Sequence, residues 1–376
     1  MKAPALKLEN FRVVICLGPG GVGKTTVSAA LAVYGAASGR AVDVLTVDPA
    51  PRLLDALGLK GDATEPREVG LAGVRRSRSA EGRRGRLRAL RLDPKRTFDA
   101  IVARHAPSPA ARDAILENRI YRNISNALAG VADYMAMEKL LELAGDPETD
   151  LIVLDTPPAA EALDFLDAPR RLIDLLNSRA VTLLGAPAGM LRSRLRMVDL
   201  AARAVLAAFD RVTGLHLLGD VQSFVRSFEG MYAGFGERAR RADAMLRAED
   251  TAVFVVTTAE EARISQAIEF LDALKRFGLR VSAVIVNRVM APLPDVAELE
   301  SAEISPALKR KLKRNLADYA ALKRREAASL DSIRAALPAG ARLLITPELG
   351  REPRSLGDLA AIANHLQIQS AAGEDA

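Results

Sequence analysis

The sequence of 376 residues has one cysteine, no tryptophan and an aromatic content of only 4%. A single thiol, Cys16, excludes an intrachain disulfide framework and any multi-cysteine metal site within one chain, and it fits a reducing compartment. No stretch stays apolar for the roughly 18 residues that a membrane-spanning helix needs, and residues 1–10 lack the apolar core of a signal peptide. We therefore expect a soluble, cytoplasmic protein.

The charge balance is close to even, with 53 lysines and arginines against 47 acids and a net charge of +6. An excess this small does not indicate nucleic-acid binding. Arginines concentrate in residues 75–91, separated by glycine and serine but by no aromatic residue, unlike a surface that stacks on bases. We expect a solvated, mobile loop there; an anionic lipid or partner surface is the alternative.

Short apolar runs rich in β-branched residues alternate with longer helical patterns, and a hydrophobic content of 49% is enough for a large core. The predicted strands are residues 13–17, 42–47, 151–154, 252–257, 281–286 and 342–345. This alternation predicts an α/β fold with a doubly wound, mostly parallel sheet covered by helices. The run at 151–154 is continuously apolar, which is typical of a central strand buried on both faces.

The alternation breaks between residues 177 and 248, where only helical periodicity is present. Because predicted strands of one sheet lie on both sides, we interpret residues 1–376 as a single domain with a helical insertion at 177–248, a candidate subdomain for binding a client or partner. Residues 110–143 and 305–325 also have helical patterns, and the second is strongly charged and solvated. The tail 370–376 is predicted to be disordered.

A glycine-rich loop follows the first predicted strand and precedes a helical pattern, the context of a phosphate-binding loop of deviant Walker A type. The predicted nucleotide-binding residues are Gly18, Gly20, Gly21, Val22, Gly23, Lys24, Thr25 and Thr26. The glycines let backbone N–H groups converge on phosphate oxygens, and the helix dipole adds positive charge at the same place. Lys24 would neutralise the β- and γ-phosphates, and the Thr25 hydroxyl would bind Mg²⁺. The loop predicts ATP and Mg²⁺ as cofactors.

Two carboxylates end predicted strands at the edge of the sheet where ligands bind. Asp155, after 151–154, is the candidate Mg²⁺-side acid; the alternative is a cap of the turn before Pro157. Asp48, after 42–47, is a candidate for orienting or activating the attacking water, and the alternative is an ordinary turn aspartate before Pro49. Lys24 and Asp48 are therefore the predicted catalytic residues.

Four blocks in order resemble the ArsA-type ATPases, the deviant P-loop branch that includes arsenite-pump ATPases and factors that deliver tail-anchored membrane proteins. The blocks are GPGGVGKTT from Gly18, VDPAPRLLDALG from Val47, DTPPAAEALDFLDAPRRL from Asp155, and VIVNR with ITPELG near the end. The resemblance spans most of the chain. It implies ATP hydrolysis by a dimer, either a homodimer or a heterodimer with a related ATPase.

The same resemblance assigns roles to single residues. It makes Asp48 the water-activating carboxylate and Asp155 the switch-II acid, and it places Asn287 and Pro347 against adenine. An asparagine amide can read both edges of adenine, although a buried asparagine at a strand end could instead satisfy the backbone. The helical insertion falls where the family keeps its variable client-binding helices.

The sequence departs from the family pattern at three places. Pro19 occupies the position of an extra lysine that reaches across the dimer in relatives, so we expect slow turnover, or activation by a second subunit that keeps the lysine. One cysteine cannot supply the thiolates that bind arsenite or a dimer-bridging zinc, so neither ligand is expected. Ala160 and Glu161 replace a frequent Gly-His pair, so the coupling between switch loops is expected to differ in detail.

The leading hypothesis is a Mg²⁺-dependent ATPase that works as a dimeric switch and couples nucleotide state to a hydrophobic protein client, as in membrane-protein targeting or a related chaperone role. The alternative is a partition- or division-type regulatory ATPase that acts on a DNA or membrane surface. Nucleic acid is the less expected partner, and membrane contact is expected to be peripheral at most. A small-molecule kinase or synthetase is a third class, for which no dedicated acceptor site is recognisable.

Overall fold

The computed structural model of the chain describes residues 8–74, 84–119, 121–122, 125, 129–157, 159–178, 228, 230–293, 296–301, 303–351, 353 and 355–372. These residues form two compact units. The first unit comprises Met1–Leu92, Leu143–Leu163 and Arg247–Ala376, and the second comprises Asp93–Glu142 and Asp164–Leu246. Each unit has its own hydrophobic core.

The first unit is built on an eight-stranded sheet in the order β3-β4-β2-β5-β1-β6-β7-β8, in which β3 is antiparallel to β4 and the other pairs are parallel. The strands are β1 (Val13–Leu17), β2 (Ala41–Thr46), β3 (Arg67–Glu68), β4 (Arg86–Arg91), β5 (Leu151–Asp155), β6 (Thr251–Thr258), β7 (Val281–Val289) and β8 (Arg342–Pro347). All six predicted strands are confirmed, and each end lies within three residues of its prediction.

Helices cover this sheet, as the α/β prediction requires. The helices of the described part are α1 (Lys24–Ala37), α2 (Arg52–Ala56), α3 (Pro94–His105), α4 (Pro109–Glu117), α5 (Ala129–Ala144), α6 (Ala159–Leu176), α7 (Tyr232–Leu246), α8 (Glu261–Arg276), α9 (Val296–Ser301), α10 (Pro306–Ala335) and α11 (Leu356–Ala372). Every residue of β1 and β5 is buried, because helices shield both faces of these central strands from water. Parallel pairing brings the carboxyl ends of β1, β2, β5 and β6 to one edge of the sheet.

The prediction of a solvated loop at 75–91 is wrong for the later residues, because Arg86–Arg91 forms β4. Leu87 and Leu90 of this strand are buried. Arg88 donates from Nε and from one terminal nitrogen to the two carboxylate oxygens of Asp43 on β2, both at 2.6 Å. The charge of Arg88 is therefore neutralised by an aspartate 45 residues away in the sequence. The charges near Arg88 in the sequence do not indicate this pairing. Residues 75–83 lie outside the described part of the chain.

The second unit is helical and contains α3, α4, α7 and most of α5 and α6. Its core is aromatic: Phe98 packs edge-on against Tyr121 and Phe228, with ring centroids 4.9 and 5.9 Å apart. Asp93 caps the start of α3 by accepting a 2.9 Å hydrogen bond from the Arg96 backbone N–H. Helices therefore form within 110–143 and at the end of 177–248, where helical periodicity predicts them.

Parts of the predicted organisation fall outside the described residues. These parts are 179–227 and 229 of the predicted insertion and 373–376 of the predicted tail. The charged helix predicted at 305–325 is confirmed as the first two thirds of α10. Within the described ranges, no helix combines the length and the apolar character needed to cross a bilayer.

Candidate functional site

The phosphate-binding loop leaves β1 through Gly18 and enters α1 at Lys24. Gly18 has a φ of 145°, and a Cβ there would lie 2.0 Å from the backbone oxygen of Val256 on β6. Gly23 has a φ of 92°, and a Cβ there would lie 2.3 Å from Asn287 Nδ2. These two positions accept only glycine, because a side chain would meet both an unfavourable backbone conformation and a steric clash. The loop is therefore tightly seated on β6 and β7.

Lys24 is the first residue of α1, and its side chain turns back over the loop. The ammonium Nζ donates a 2.9 Å hydrogen bond to the backbone oxygen of Pro19, and the residue is only 8% exposed. Burial lowers the pKa of Lys24, whereas the charges of Asp155 and Asp48 act in the opposite direction. A buried ammonium whose hydrogen-bond partner is a neutral carbonyl has lost its hydration without gaining a counter-charge. Binding an anion there is therefore favourable.

Asp155 ends β5 and is the centre of a hydroxyl cluster. Its Oδ2 accepts hydrogen bonds from Thr25 Oγ1 at 2.9 Å and from Thr46 Oγ1 at 3.0 Å. Its Oδ1 accepts from Ser28 Oγ at 3.3 Å. Burial raises the pKa of Asp155 to about 6, although the three hydroxyls and Lys24 lower it. The carboxylate thus holds the Thr25 hydroxyl at the start of α1, where the sequence predicts the cation.

Asp48 lies in the loop after β2, and its side chain is 31% exposed. Its Oδ1 accepts a 2.9 Å hydrogen bond from the Ala50 backbone N–H, and its own N–H donates to Thr46 Oγ1 at 3.2 Å. Arg52 approaches the other carboxylate oxygen to 3.9 Å. The hydrogen bond to Ala50 shows that Asp48 forms a turn, as one of its two predicted roles requires. Its side chain is also partly exposed, so the second role, orienting the attacking water, stays a prediction.

Asn287 joins the loop to two strands. Its Nδ2 donates to the Val22 backbone oxygen at 2.9 Å, and its Oδ1 accepts from Thr346 Oγ1 at 2.6 Å. The residue is 7% exposed, and Pro347 at the end of β8 is half-buried. These bonds use one of two amide hydrogens and one of two oxygen lone pairs, so the contacts of Asn287 and Pro347 with adenine stay predictions.

The structure connects most of the predicted site residues and adds two that sequence reasoning missed. Hydrogen bonds link Lys24 to the loop, Thr25 to Asp155, and Asn287 to Val22. The additional residues are Thr46 and Ser28, which bind Asp155. Thr46 pairs with Asp155 in the register of β2 and β5, so its place at the carboxyl end of a predicted strand was a usable signal.

Of the remaining predicted residues, Gly20 and Gly21 lie between the end of β1 and the start of α1, and Thr26 lies in the first turn of α1. Arg288, beside Asn287, has a φ of 60° and directs its guanidinium at the Gly21 backbone oxygen, 3.4 Å away. Thr258 pairs with Asn287 in the register of β6 and β7, and its buried hydroxyl has no hydrogen-bond partner among the described residues.

These groups fit a nucleoside triphosphate with a hard divalent cation. Lys24 and the start of α1 supply positive charge for the phosphates. Thr25 and Asp155 supply the oxygen ligands that Mg²⁺ prefers. The Thr258 hydroxyl, at the same edge of the sheet, is a polar group that a ligand can hydrogen-bond. Mg²⁺ usually needs only one or two protein ligands, because phosphate oxygens and water complete its shell.

Cys16 lies in β1 directly beneath this site and is fully buried. Burial raises the pKa of its thiol to about 12, while a hydrogen bond with Ser28 lowers it. The thiol is therefore protonated at neutral pH and shielded from ligands.

Comparisons with known proteins found a matching family and several relatives. The model of the anion-transporting ATPase family matches residues 11–312 of the chain. The ATPase GET3 of Malassezia globosa is 22% identical over 316 residues, which cover 83% of each chain. A putative arsenical pump-driving ATPase 2 of Aquifex aeolicus is 22% identical over 291 residues, 76% of this chain and 82% of the relative. An uncharacterized protein of Streptomyces coelicolor is 28% identical over 358 residues, 94% of this chain and 76% of the relative.

Proposed function

Because this chain belongs to the ArsA-type, anion-transporting ATPase family, we propose that it hydrolyses Mg²⁺-bound ATP and, as a dimer, couples its nucleotide state to binding of a hydrophobic protein client. ATP hydrolysis is the activity of the family. The observation that carries the nucleotide part is the hydroxyl cluster on Asp155 next to the buried Lys24 ammonium.

Each of these residues has a distinct task in the proposed reaction. Lys24 exchanges the Pro19 carbonyl for β- and γ-phosphate oxygens, which are better acceptors because they are charged. Asp155 fixes the Thr25 hydroxyl so that its oxygen lone pair is available to Mg²⁺. Thr25, oriented by Asp155, would hold Mg²⁺, and the cation would supply positive charge that offsets the negative charge developing on the phosphates.

Asp48 is the proposed residue that orients the attacking water. Its carboxylate is partly exposed, and its backbone N–H is tied to Thr46, which is itself bound to Asp155. The Thr46 hydroxyl therefore connects Asp155 to the loop of Asp48, so that a movement of Asp155 would shift the hydrogen bond to the Asp48 backbone. This connection supports a switch in which the loops after β2 and β5 respond together to nucleotide.

We further propose that turnover is slow in a homodimer and faster beside a subunit that has a lysine at the position of Pro19. Proline has neither a charge nor an N–H group to offer to a phosphate across a dimer interface. Loss of one preorganised charge in phosphoryl transfer can lower the rate by orders of magnitude.

The proposed cargo is a protein, not a metalloid. Arsenite and structural zinc are held by thiolates, and the one thiol of this chain is buried in β1 with its pKa raised to about 12. DNA is also the less suitable partner. Three arginines of residues 75–91 are paired with acids within the fold: Arg86 with Glu148, Arg88 with Asp43 and Arg91 with Asp62.

The test is the ATPase rate together with the light-scattering mass of the purified protein, with and without Mg²⁺. We expect slow Mg²⁺-dependent turnover that is lost in Lys24→Ala and raised in Pro19→Lys. Lys275→Ala, which removes an exposed lysine on α8, is the matched control and should behave as wild type. A fast rate in wild type, or a protein that stays monomeric with ATP, would contradict the dimeric switch.

The client part has a separate test. A photo-crosslinking apolar helical peptide should label the protein to different extents with ATP and with ADP, and the difference should disappear in Lys24→Ala. Equal labelling in both nucleotide states would refute client coupling while leaving the ATPase assignment intact.

A further inference from the structure

Helix α10 carries most of the large apolar side chains that face solvent in the described part of the chain. Five such side chains are more than a third exposed, and one of them, Leu175, lies elsewhere. The other four, here called the α10 stripe, are Leu308 at 44%, Leu312 at 36%, Tyr319 at 53% and Leu322 at 50%. Single exposed apolar residues are ordinary, but four on one helix call for an explanation.

The α10 stripe lies on one face of the helix. Its members are spaced by four, seven and three residues, which matches the α-helical period. The same face continues toward the carboxyl end with Glu326, Ser329 and Ile333, all of which are buried. One continuous helix face is therefore covered by the first unit over its second half and left uncovered over its first half.

The surroundings of the stripe are strongly basic. Residues 306–325 contain eight lysines and arginines and one acid, Asp318. On one flank, Lys309 and Lys313 reach the backbone and the side chain of Glu300 on α9, at 2.5 and 2.7 Å.

The opposite flank carries cations that are free to meet a partner. Helical spacing puts Lys311, Arg314 and Arg325 on that side of the stripe, together with Asp318. All four residues are exposed. Within the described residues, none of the three cations has an acid in salt-bridge range. The uncovered half of α10 is thus an apolar stripe beside a row of unneutralised positive charge.

We propose that the uncovered half of α10 binds the surface of an anionic lipid membrane. Leucines and a tyrosine along one face, with lysines and arginines beside them, form the pattern of a helix that lies in the plane of a membrane interface. The leucines enter the boundary between headgroups and acyl chains, the tyrosine hydroxyl stays at headgroup level, and the cations meet lipid phosphates and carboxylates.

Two other occupants match these observations less well. A second copy of α10 would bring its basic residues against those of the first, and like charges in contact are repulsive. Nucleic acid would satisfy the cations but would leave three leucines against a polar groove with one aromatic residue for stacking. Lipid alone satisfies the charges and the apolar stripe together.

The first experiment uses the absence of tryptophan from the chain. In Tyr319→Trp the stripe carries the only tryptophan of the protein, so its emission reports the environment of α10. Vesicles of phosphatidylcholine with phosphatidylserine should shift the emission to shorter wavelength, and vesicles of phosphatidylcholine alone should not. Raised salt should weaken the effect, because it screens the attraction of cations to the surface.

Co-sedimentation with the same vesicles measures the energetic share of each feature. Leu312→Glu and Leu322→Glu should each lower the partition coefficient at least about tenfold, because each replaces a leucine that enters the membrane with an anion. The triple change Lys311→Ala, Arg314→Ala and Arg325→Ala should lower it on the order of a hundredfold, since each cation near the surface contributes about fivefold.

Two matched controls separate α10 from general effects. Leu175→Glu makes the same change at the exposed leucine that is not on α10. Lys275→Ala with Arg276→Ala and Arg280→Ala removes three exposed cations from α8 and the turn that follows it. Both controls should bind vesicles as wild type does.

Three results would overturn the proposal. One is wild-type protein that ignores phosphatidylserine vesicles at low salt, and another is an equal loss of binding in the controls and the α10 variants. The third is a solution mass that drops in Leu312→Glu and Leu322→Glu without lipid, which would assign the stripe to a second copy of the chain. None of these measurements requires ATP, so they test the membrane proposal independently of the proposed ATPase cycle.

Discussion

The hydroxyl of Thr25, at the start of α1, donates a 2.9 Å hydrogen bond to Oδ2 of Asp155, 130 residues later at the end of β5. The carboxylate is 1% exposed, and burial raises its pKa to about 6. The protein thus keeps a costly buried anion at the place where we propose that Mg²⁺ binds. A nucleotide-bound cation would offset that cost, because an adjacent positive charge favours the ionised carboxylate.

This anion predicts a pH-dependent effect of Asp155→Asn on stability. The folded pKa of about 6 lies above the ordinary aspartate value of 3.8, so the folded state binds the proton more tightly than the unfolded state. Stability from this group is therefore full below about pH 4 and decreases as pH rises through 6. At pH 7.5 the variant should gain about 2–3 kcal/mol over wild type without nucleotide, and at pH 4 the gain should vanish.

Urea unfolding of both proteins at several pH values measures this difference. Asp55→Asn, at an exposed aspartate on α2, is the control and should show no such dependence. Asp155→Asn should also lose Mg²⁺-dependent ATPase activity. A variant that is less stable than wild type at pH 7.5 would show that the carboxylate contributes more through its hydroxyl partners than it costs by burial.

Thr46→Val tests one of the two residues that sequence reasoning missed. The substitution keeps the shape but removes the hydroxyl that donates to Asp155 Oδ2 and accepts from the Asp48 N–H. We expect a loss of about 1–3 kcal/mol in stability and a lower ATPase rate, because the buried Asp155 carboxylate and the half-buried Asp48 N–H each lose a partner.

The control for this loss is Thr257→Val on β6, a buried threonine whose hydroxyl donates to backbone oxygens outside the Asp155 cluster. It should cost similar stability and leave the Mg²⁺ dependence of hydrolysis unchanged. Equal effects of both variants on the Mg²⁺ dependence would remove Thr46 from the proposed connection between the two loops.

Gly23→Ala and Gly21→Ala separate a steric clash from backbone strain. Both glycines have positive φ, 92° and 80°, but a Cβ at Gly23 would meet Asn287 Nδ2 whereas a Cβ at Gly21 has no neighbour within 4 Å. Gly21→Ala should cost about 1–2 kcal/mol from its φ alone, and Gly23→Ala should cost clearly more. Urea unfolding measures both, and Asn287→Ala should partly rescue Gly23→Ala. Equal losses of stability in the two variants would mean that the loop can move away from β7 to relieve the clash at no energetic cost.

Two arginines of β4 predict very different mutational costs. Arg88 bridges Asp43, which is 1% exposed, and its removal leaves a buried carboxylate unpaired; Arg88→Ala should cost about 3–5 kcal/mol. Arg86 pairs with Glu148, which is 69% exposed, so Arg86→Ala should cost less than about 1 kcal/mol. Unfolding in urea at pH 7 checks both. Comparable losses of stability would contradict this prediction, because they would show that water screens the Arg88–Asp43 pair as strongly as the Arg86–Glu148 pair.

Much of the fold and the core of the site followed from the sequence. The strand that ends at Leu17, the glycines after it and the helix from Lys24 are all local patterns, because period, turn chemistry and helix dipole act over a few residues. The six strands, which are short runs rich in apolar and β-branched residues, were predicted for the same reason. The carboxyl ends of parallel strands share an edge, so Asp155 was also expected near the loop.

The remaining features depend on contacts between distant parts of the chain. β4 was mistaken for a loop because the acid that neutralises Arg88 lies on another strand. Thr46 joined the site only when the register of β2 and β5 set it beside Asp155. Residues 305–325 were correctly predicted as a charged helix, but only packing decides which half of its apolar face is covered. Local sequence thus determined the elements and the phosphate loop, and tertiary contacts determined the polar network around Asp155 and the uncovered stripe of α10.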